Sequence, residues 1–114
     1  MPAPTFVFRH TRLGILTEQT AELVDLTDGL DSLLTGVGMT SGFLNVRSLQ
    51  AGAGIVVTGP PSPTPDCVKT TAGARLSVAN GHLDLDSQQR VFLVEREGPA
   101  ARELAVVLVG EARR

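Results

Sequence analysis

The run from Asn80 to Gly110, NGHLDLDSQQRVFLVEREGPAARELAVVLVG, constrains the fold more than any other part of the chain. Asn80-Gly81 is a dipeptide favoured by the type I′ hairpin turn, whose two central residues both need positive φ. After it, His82, Leu83, Asp84 and Leu85 alternate, with both leucines on one face. Gln89 to Glu97 predicts a second strand, Gly98-Pro99 a second turn and Glu103 to Val109 a third strand, so the run reads as a β-meander. In its last two strands both faces are largely apolar: Val91 and Leu93 against Phe92 and Val94, then Leu104, Val106 and Leu108 against Ala105, Val107 and Val109. A strand is dry on both faces only where something covers both. In a chain of 114 residues another subunit is a ready source of the second cover, and an oligomer is the first functional expectation.

That length gives one domain with a single modest core, too small for a core plus a separate site domain. An apolar fraction of 42% is ordinary for a globular protein, so disorder is not the default. Net charge is -2, the arginines are scattered, and there is no Trp, no Tyr and only four Phe. Nucleic-acid binding needs a basic footprint, and single-strand binding adds aromatic platforms, so this class is excluded. Cys67 stands alone and reads as a small residue in or near a loop. No apolar run reaches membrane-spanning length and no signal-peptide pattern opens the chain, which leaves cytoplasm as the expectation.

Upstream, Thr5 to Arg9 predicts a short strand, and Gly14 to Glu18 with Ala21 to Leu26 a hairpin turning near Gln19-Thr20. Thr27 or Asp28 can cap a helix whose N-terminus Asp28 and Asp31 favour electrostatically. Leu30, Leu33, Leu34 and Val37 fall on one stripe, and Gly36 and Gly38 end it. Gly42 to Ser48, Gly52 to Val57 and Thr70 to Val78 predict further strands. Between the last two, GPPSPTPD (59–66) cannot be regular, because its prolines lack donors and restrict their neighbours. The class is α+β, mostly antiparallel sheet with one short helix.

These features carry a resemblance. Asp25-Leu26-Thr27 before the helix, Gly38-Met39 and Gly42 after it, and then Gly81, Leu83, Leu85, Gln89, Glu95, Glu97, Gly98, Pro99 and Arg102 fall in the order and spacing of the YjbQ family. The chain resembles that family of small trimeric proteins, also called secondary thiamine-phosphate synthases. The resemblance implies a homotrimer with a histidine-rich pocket at a subunit interface. The family motif H-T-T-A-G, counted without gaps from Thr27, falls on Gln50, Ala51, Gly52, Ala53 and Gly54, so only its last two residues match. The family's central helical segment is replaced by the Pro-rich connection, which is expected to leave a groove open to a ligand or partner. Gln88 stands at the family Trp, Asp86 at the Gly before it, and Ala100 at the first Arg of R-x-R. Lys69-Thr70-Thr71-Ala72-Gly73 spells T-T-A-G, but lies too close to the Asn80-Gly81 turn to be the motif and is set aside.

Imidazole can exchange a proton near neutral pH and ligate metals. Only His10 and His82 are present, neither at a motif position, and both read as solvated surface residues. Two distant histidines and one cysteine do not make a zinc site, and no cofactor motif is present. Gln50 can hydrogen-bond but cannot exchange a proton at neutral pH. The pocket candidates are Gln50, Gln89, Glu95 and Arg102. Glu95 faces either a pocket, a subunit seam or solvent. Arg102 either clamps an anion, pairs with Glu95 or Glu97, or is simply exposed, and Gln89 either lines the pocket or pairs across strands. Asp28 at the helix start would repel phosphate rather than bind it.

Three functional expectations stand together. In the first, the chain is a degenerate, non-catalytic or weakly catalytic trimer that keeps a pocket for a small anionic ligand. In the second, it is an enzyme, thiamine-phosphate-synthase-like or other, with Glu95 as a base of raised pKa and Arg102 as anion clamp. In the third, it completes a mixed trimer with a histidine-bearing paralogue.

Overall fold

The computed structural model describes residues 5–113. Within them the chain runs β1 (Thr5–Leu16), β2 (Glu22–Asp25), α1 (Thr27–Val37), β3 (Met39–Ser48), β4 (Ala53–Thr58), β5 (Gly73–Ala79), β6 (His82–Leu83), β7 (Arg90–Glu95) and β8 (Ala101–Ala112). One antiparallel sheet has the order β1-β8-β3-β5-β6, the other β2-β7-β4. This is the expected α+β class. No helix among the described residues is long and apolar enough to cross a membrane.

The Asn80-Gly81 turn forms as its sequence demands: φ is 54° at Asn80 and 82° at Gly81, and Ala79 faces His82 across it. The meander beyond it does not form. β7 lies between β2 and β4, while β8 lies between β1 and β3 in the other sheet. Each of these two apolar strands thus becomes an interior strand of its own sheet, where long-range neighbours occupy both edges. Gly98-Pro99 carries the chain from one sheet to the other instead of closing a hairpin. The expected early hairpin is corrected for the same reason. β1 continues unbroken to Leu16 and pairs with β8 from Thr5↔Ala112 to Leu16↔Ala101, and β2 pairs with β7. Turn chemistry near Gln19-Thr20 marks a crossing between sheets, which a local reading cannot tell from a hairpin.

Neither Thr27 nor Asp28 caps the helix. Its N-cap is Leu26, and the Asp25 carboxylate accepts from Thr27 N (3.0 Å). The Thr27 hydroxyl instead accepts from Val91 N (2.8 Å), tying the first helical turn to β7. Gly38 ends the helix in the left-handed conformation, while Gly36 lies inside it. Leu30 and Leu34 are fully buried, and Asp31 accepts from Leu83 N (2.9 Å), so the helix closes against β6 and β7.

The core joins both sheets and the helix: Leu44 and Val46 of β3, Leu76 and Val78 of β5, Leu104, Val106 and Leu108 of β8, Ile55 of β4, and Val91 and Leu93 of β7. The second face of β7 is covered within the chain. Opposite Val94 stands Gly54, and Thr70 packs so closely there that a Cβ on Gly54 would lie 2.6 Å from its hydroxyl. Arg96 fastens the segment to this face, donating to Pro65 O (2.9 Å), to Thr70 Oγ1 (3.3 Å) and to Val68 O. Residues 65–70 thus lie over β7 beside the irregular 59–66 connection, where a groove was expected. Two small clefts remain, about 210 Å³ by Gly59–Ser62 and about 270 Å³ by Thr70.

The second face of β8 has no such cover. Ala105, Val107 and Val109 are half-buried, and the register sets Phe8, Val109 and Phe43 in one row across three strands. Phe6 and Phe8 are 73% and 66% exposed. Arg75 lies over the Phe43 ring, 5.3 Å from its centroid.

Candidate functional site

The two sheets share one polar end. Glu95 closes the core-facing row of Val91 and Leu93 on β7, and Arg102 opens the row of Leu104 and Val106 on β8. Arg102 donates from Nε to Glu95 Oε1 and from Nη2 to Oε2, both at 2.8 Å, and from Nη1 to Ala51 O at 3.0 Å. The Thr17 hydroxyl donates to Oε1 (2.7 Å), and the amides of Arg96 and Glu97 donate to Oε2 (3.0 and 3.1 Å). Glu95 is wholly buried and Arg102 nearly so. Burial alone would raise a carboxyl pKa, but a bidentate guanidinium favours the charged form more strongly. Hydrogen bonding from Arg102, helped by Thr17 and the Glu97 amide, outweighs burial and lowers Glu95 from its ordinary 4.5 to about 2. This reverses the raised pKa expected of a Glu95 base. Arg102, raised in turn by the same pair, has its charge balanced by Glu95 and donates a further hydrogen bond to Ala51.

Gln50, which the resemblance aligns with the motif histidine, has its side-chain oxygen 3.1 Å from Glu103 N, which donates to it. It therefore holds the start of β8. Gln89 lies at the far end of β7, where its side chain accepts from Asp86 N (3.1 Å) and closes the β6–β7 loop. Gln50, Glu95 and Arg102 are thus gathered around the turn before β4, and Gln89 is a strand length away.

Gly52 in that turn has φ +93°, and a Cβ there would lie 2.7 Å from Glu97 Oε2 and 2.8 Å from Arg102 Nη2. Both conditions select glycine. Beside it opens the 270 Å³ cleft, lined by Gly52, Ala53, Gly54, Thr70, Arg96 and Glu97. Thr71 exchanges backbone hydrogen bonds with Ile55 at 2.8 and 3.0 Å, so the T-T-A-G segment set aside on spacing lies directly against the Gln50–Gly54 stretch. Arg96, Thr17 and Thr70 were not legible as site residues. The only signal was an arginine set between two glutamates at the end of a dry strand.

His10 lies on the open face of β1, within β1 rather than at its end, with its ring 5.1 Å from that of Phe8. His82 is exposed and 3.6 Å from Asp31. Neither reaches the site, and no group of three or more potential metal-ligating side chains occurs among the described residues.

Neither a family model nor a curated protein matches the sequence. Solved structures do. A YbjQ-like protein of unknown function from Sulfolobus solfataricus P2 superposes with a TM-score of 0.80 at 20% identity, over 94% of this chain and 100% of its own. An uncharacterised conserved protein of the YjbQ/UPF0047 family from Clostridium acetobutylicum gives 0.75 at 16%, over 87% and 98%. A hypothetical protein from Aeropyrum pernix K1 gives 0.75 at 21%, over 90% and 99%. The chain has the YjbQ-like fold.

Proposed function

We propose that this chain is a degenerate YjbQ-type protein that keeps a trimeric scaffold and a small-molecule pocket without the acid–base chemistry of the thiamine-phosphate synthases it resembles. One observation carries the reading: Gln50, which the resemblance aligns with the motif histidine, accepts from Glu103 N through its side chain and has no proton to exchange at neutral pH. The geometry supports it further, since the neighbouring carboxylate is held ionised by Arg102 and cannot take a proton in the physiological range. The same geometry counts against an enzyme using Glu95 as base and Arg102 as clamp.

The open face of the five-stranded sheet supports assembly. Its row of Phe8, Val109 and Phe43, with Phe6 beside it, is an apolar surface of the kind that protein–protein contact buries. The Pro-rich connection replaces a helical segment of the family, and cytoplasmic location goes with the family resemblance. The test is turnover: pure protein is incubated with thiamine precursors, beside a histidine-bearing YjbQ protein. No product above background is expected. Robust turnover abolished by Gln50→Ala would overturn the reading.

A further inference from the structure

Four described arginines have half-buried or buried side chains or carboxylate partners, and Arg96 stands apart among them. Arg12 pairs with Glu103, Arg90 with Asp25 and Asp28, and Arg102 with Glu95. Arg96 is half-buried, yet among the described residues its guanidinium has no carboxylate partner. Its three hydrogen bonds go to neutral oxygens, the carbonyls of Pro65 and Val68 and the hydroxyl of Thr70. A guanidinium has five N–H donors in a planar fork. Three are used, one each on Nε, Nη1 and Nη2, so one N–H on each terminal nitrogen is left over. Taking a cation partly out of water without a counter-ion is unfavourable, and carbonyl oxygens offset only part of that. This cation lines the 270 Å³ cleft together with Gly52, the first residues of β4 (Ala53 and Gly54) and Thr70.

We propose that this cleft binds a small oxyanion, a carboxylate or phosphoryl group, with Arg96 as its cation and the Thr70 hydroxyl as a second donor. The remaining N–H groups on Nη1 and Nη2 suit the two oxygens of one such group. Glycines at 52 and 54 leave the wall without side chains, and Gly54 lets Thr70 approach the cleft. Glu97 also lines the cleft, and its negative charge weakens anion binding there. The 65–70 segment needs no displacement, because its carbonyls occupy other donors of the same guanidinium. This inference rests on reading the site as a pocket that binds without acid–base catalysis, and it relocates the anion partner from Arg102 to Arg96.

The test is an amide-resolved NMR titration of the full chain with sodium phosphate and, separately, sodium acetate, against sodium chloride at matched ionic strength. Saturable shifts are expected at Gly52, Gly54, Thr70, Arg96 and Glu97. Saturation by phosphate at the lower concentration assigns the site to a phosphoryl group, and by acetate to a carboxylate; either supports the proposal. Arg96→Gln should weaken the stronger ligand at least tenfold. Because that variant also loosens the 65–70 segment, Glu97→Gln provides the second arm and should tighten binding about threefold or more, which a merely structural effect would not do. Shifts no larger than those with chloride, wild-type affinity in Arg96→Gln, or no tightening in Glu97→Gln would overturn it. The titration reads binding and the thiamine assay reads turnover, so either result can fail alone.

Discussion

Arg102 and Glu95 join the two sheets through a pair of parallel hydrogen bonds, each 2.8 Å long, at a polar end of the core. The pair has every oxygen and nitrogen supplied with a partner, and no buried side-chain polar atom among the described residues lacks one. A buried pair of this kind contributes little over an apolar replacement, but losing one member strands a charge. Its place between the end of β7 and the start of β8 ties the two sheets together where the chain crosses from one to the other.

Arg102→Met should therefore destabilise the fold by about 3–5 kcal/mol, because it leaves the Glu95 carboxylate buried and unpaired. Chemical denaturation at pH 7 measures this. A loss under about 1 kcal/mol would mean that the carboxylate reaches water and the pair is not a structural joint.

The same carboxylate sets the acid limit. Its folded pKa is lowered to about 2 from 4.5, so the stability it contributes is fully present above the unfolded value and is lost as pH falls through this window. Denaturant midpoints measured between pH 6 and pH 2 should fall through that range, and the fall should be smaller in Glu95→Gln. Equal pH profiles for the two proteins would contradict the assignment.

Two glycines separate conformational need from space. Gly52→Ala places a side chain at φ +93° and against Glu97 and Arg102, and should cost about 1–3 kcal/mol. Gly14→Ala meets nothing within 4 Å on β1 and should be neutral or stabilising by up to about 1 kcal/mol. Thermal melts of the two variants check the contrast.

The open sheet face carries the assembly prediction. Phe8→Asp puts a charge in the row with Val109 and Phe43 and should convert an oligomer to monomers with little change in helix or strand content. Light scattering with circular dichroism distinguishes this from unfolding. An unchanged oligomer would show that another surface holds the subunits together.

Much of the fold was legible because its signals are local. Asn80-Gly81 specifies its own turn, the Leu30, Leu33, Leu34, Val37 stripe specifies the helix, and the prolines of 59–66 forbid regular structure. Strand pairing was not legible, because it depends on partners far along the chain: β1 meets β8 some ninety residues away, as the Arg12–Glu103 contact shows. β7 and β8 were read as strands apolar on both faces and needing cover, and the two differ in what the chain supplies. Residues 65–70 cover β7, and only β8 keeps an open face. Glu95 and Arg102 were singled out in the sequence, but it could not tell a mutual clamp from an open pocket. Burial with a bidentate partner and burial alone move a carboxyl pKa in opposite directions. Arg96 was missed because its significance lies in a missing counter-ion, which only the packed structure reveals.

Native mass spectrometry of the protein purified from its own host tests the central claim of a retained scaffold most directly. The account predicts a single homotrimer at three times the 12.0 kDa chain mass. A monomer would contradict it, and a stoichiometric second chain would assign the function to a mixed assembly instead.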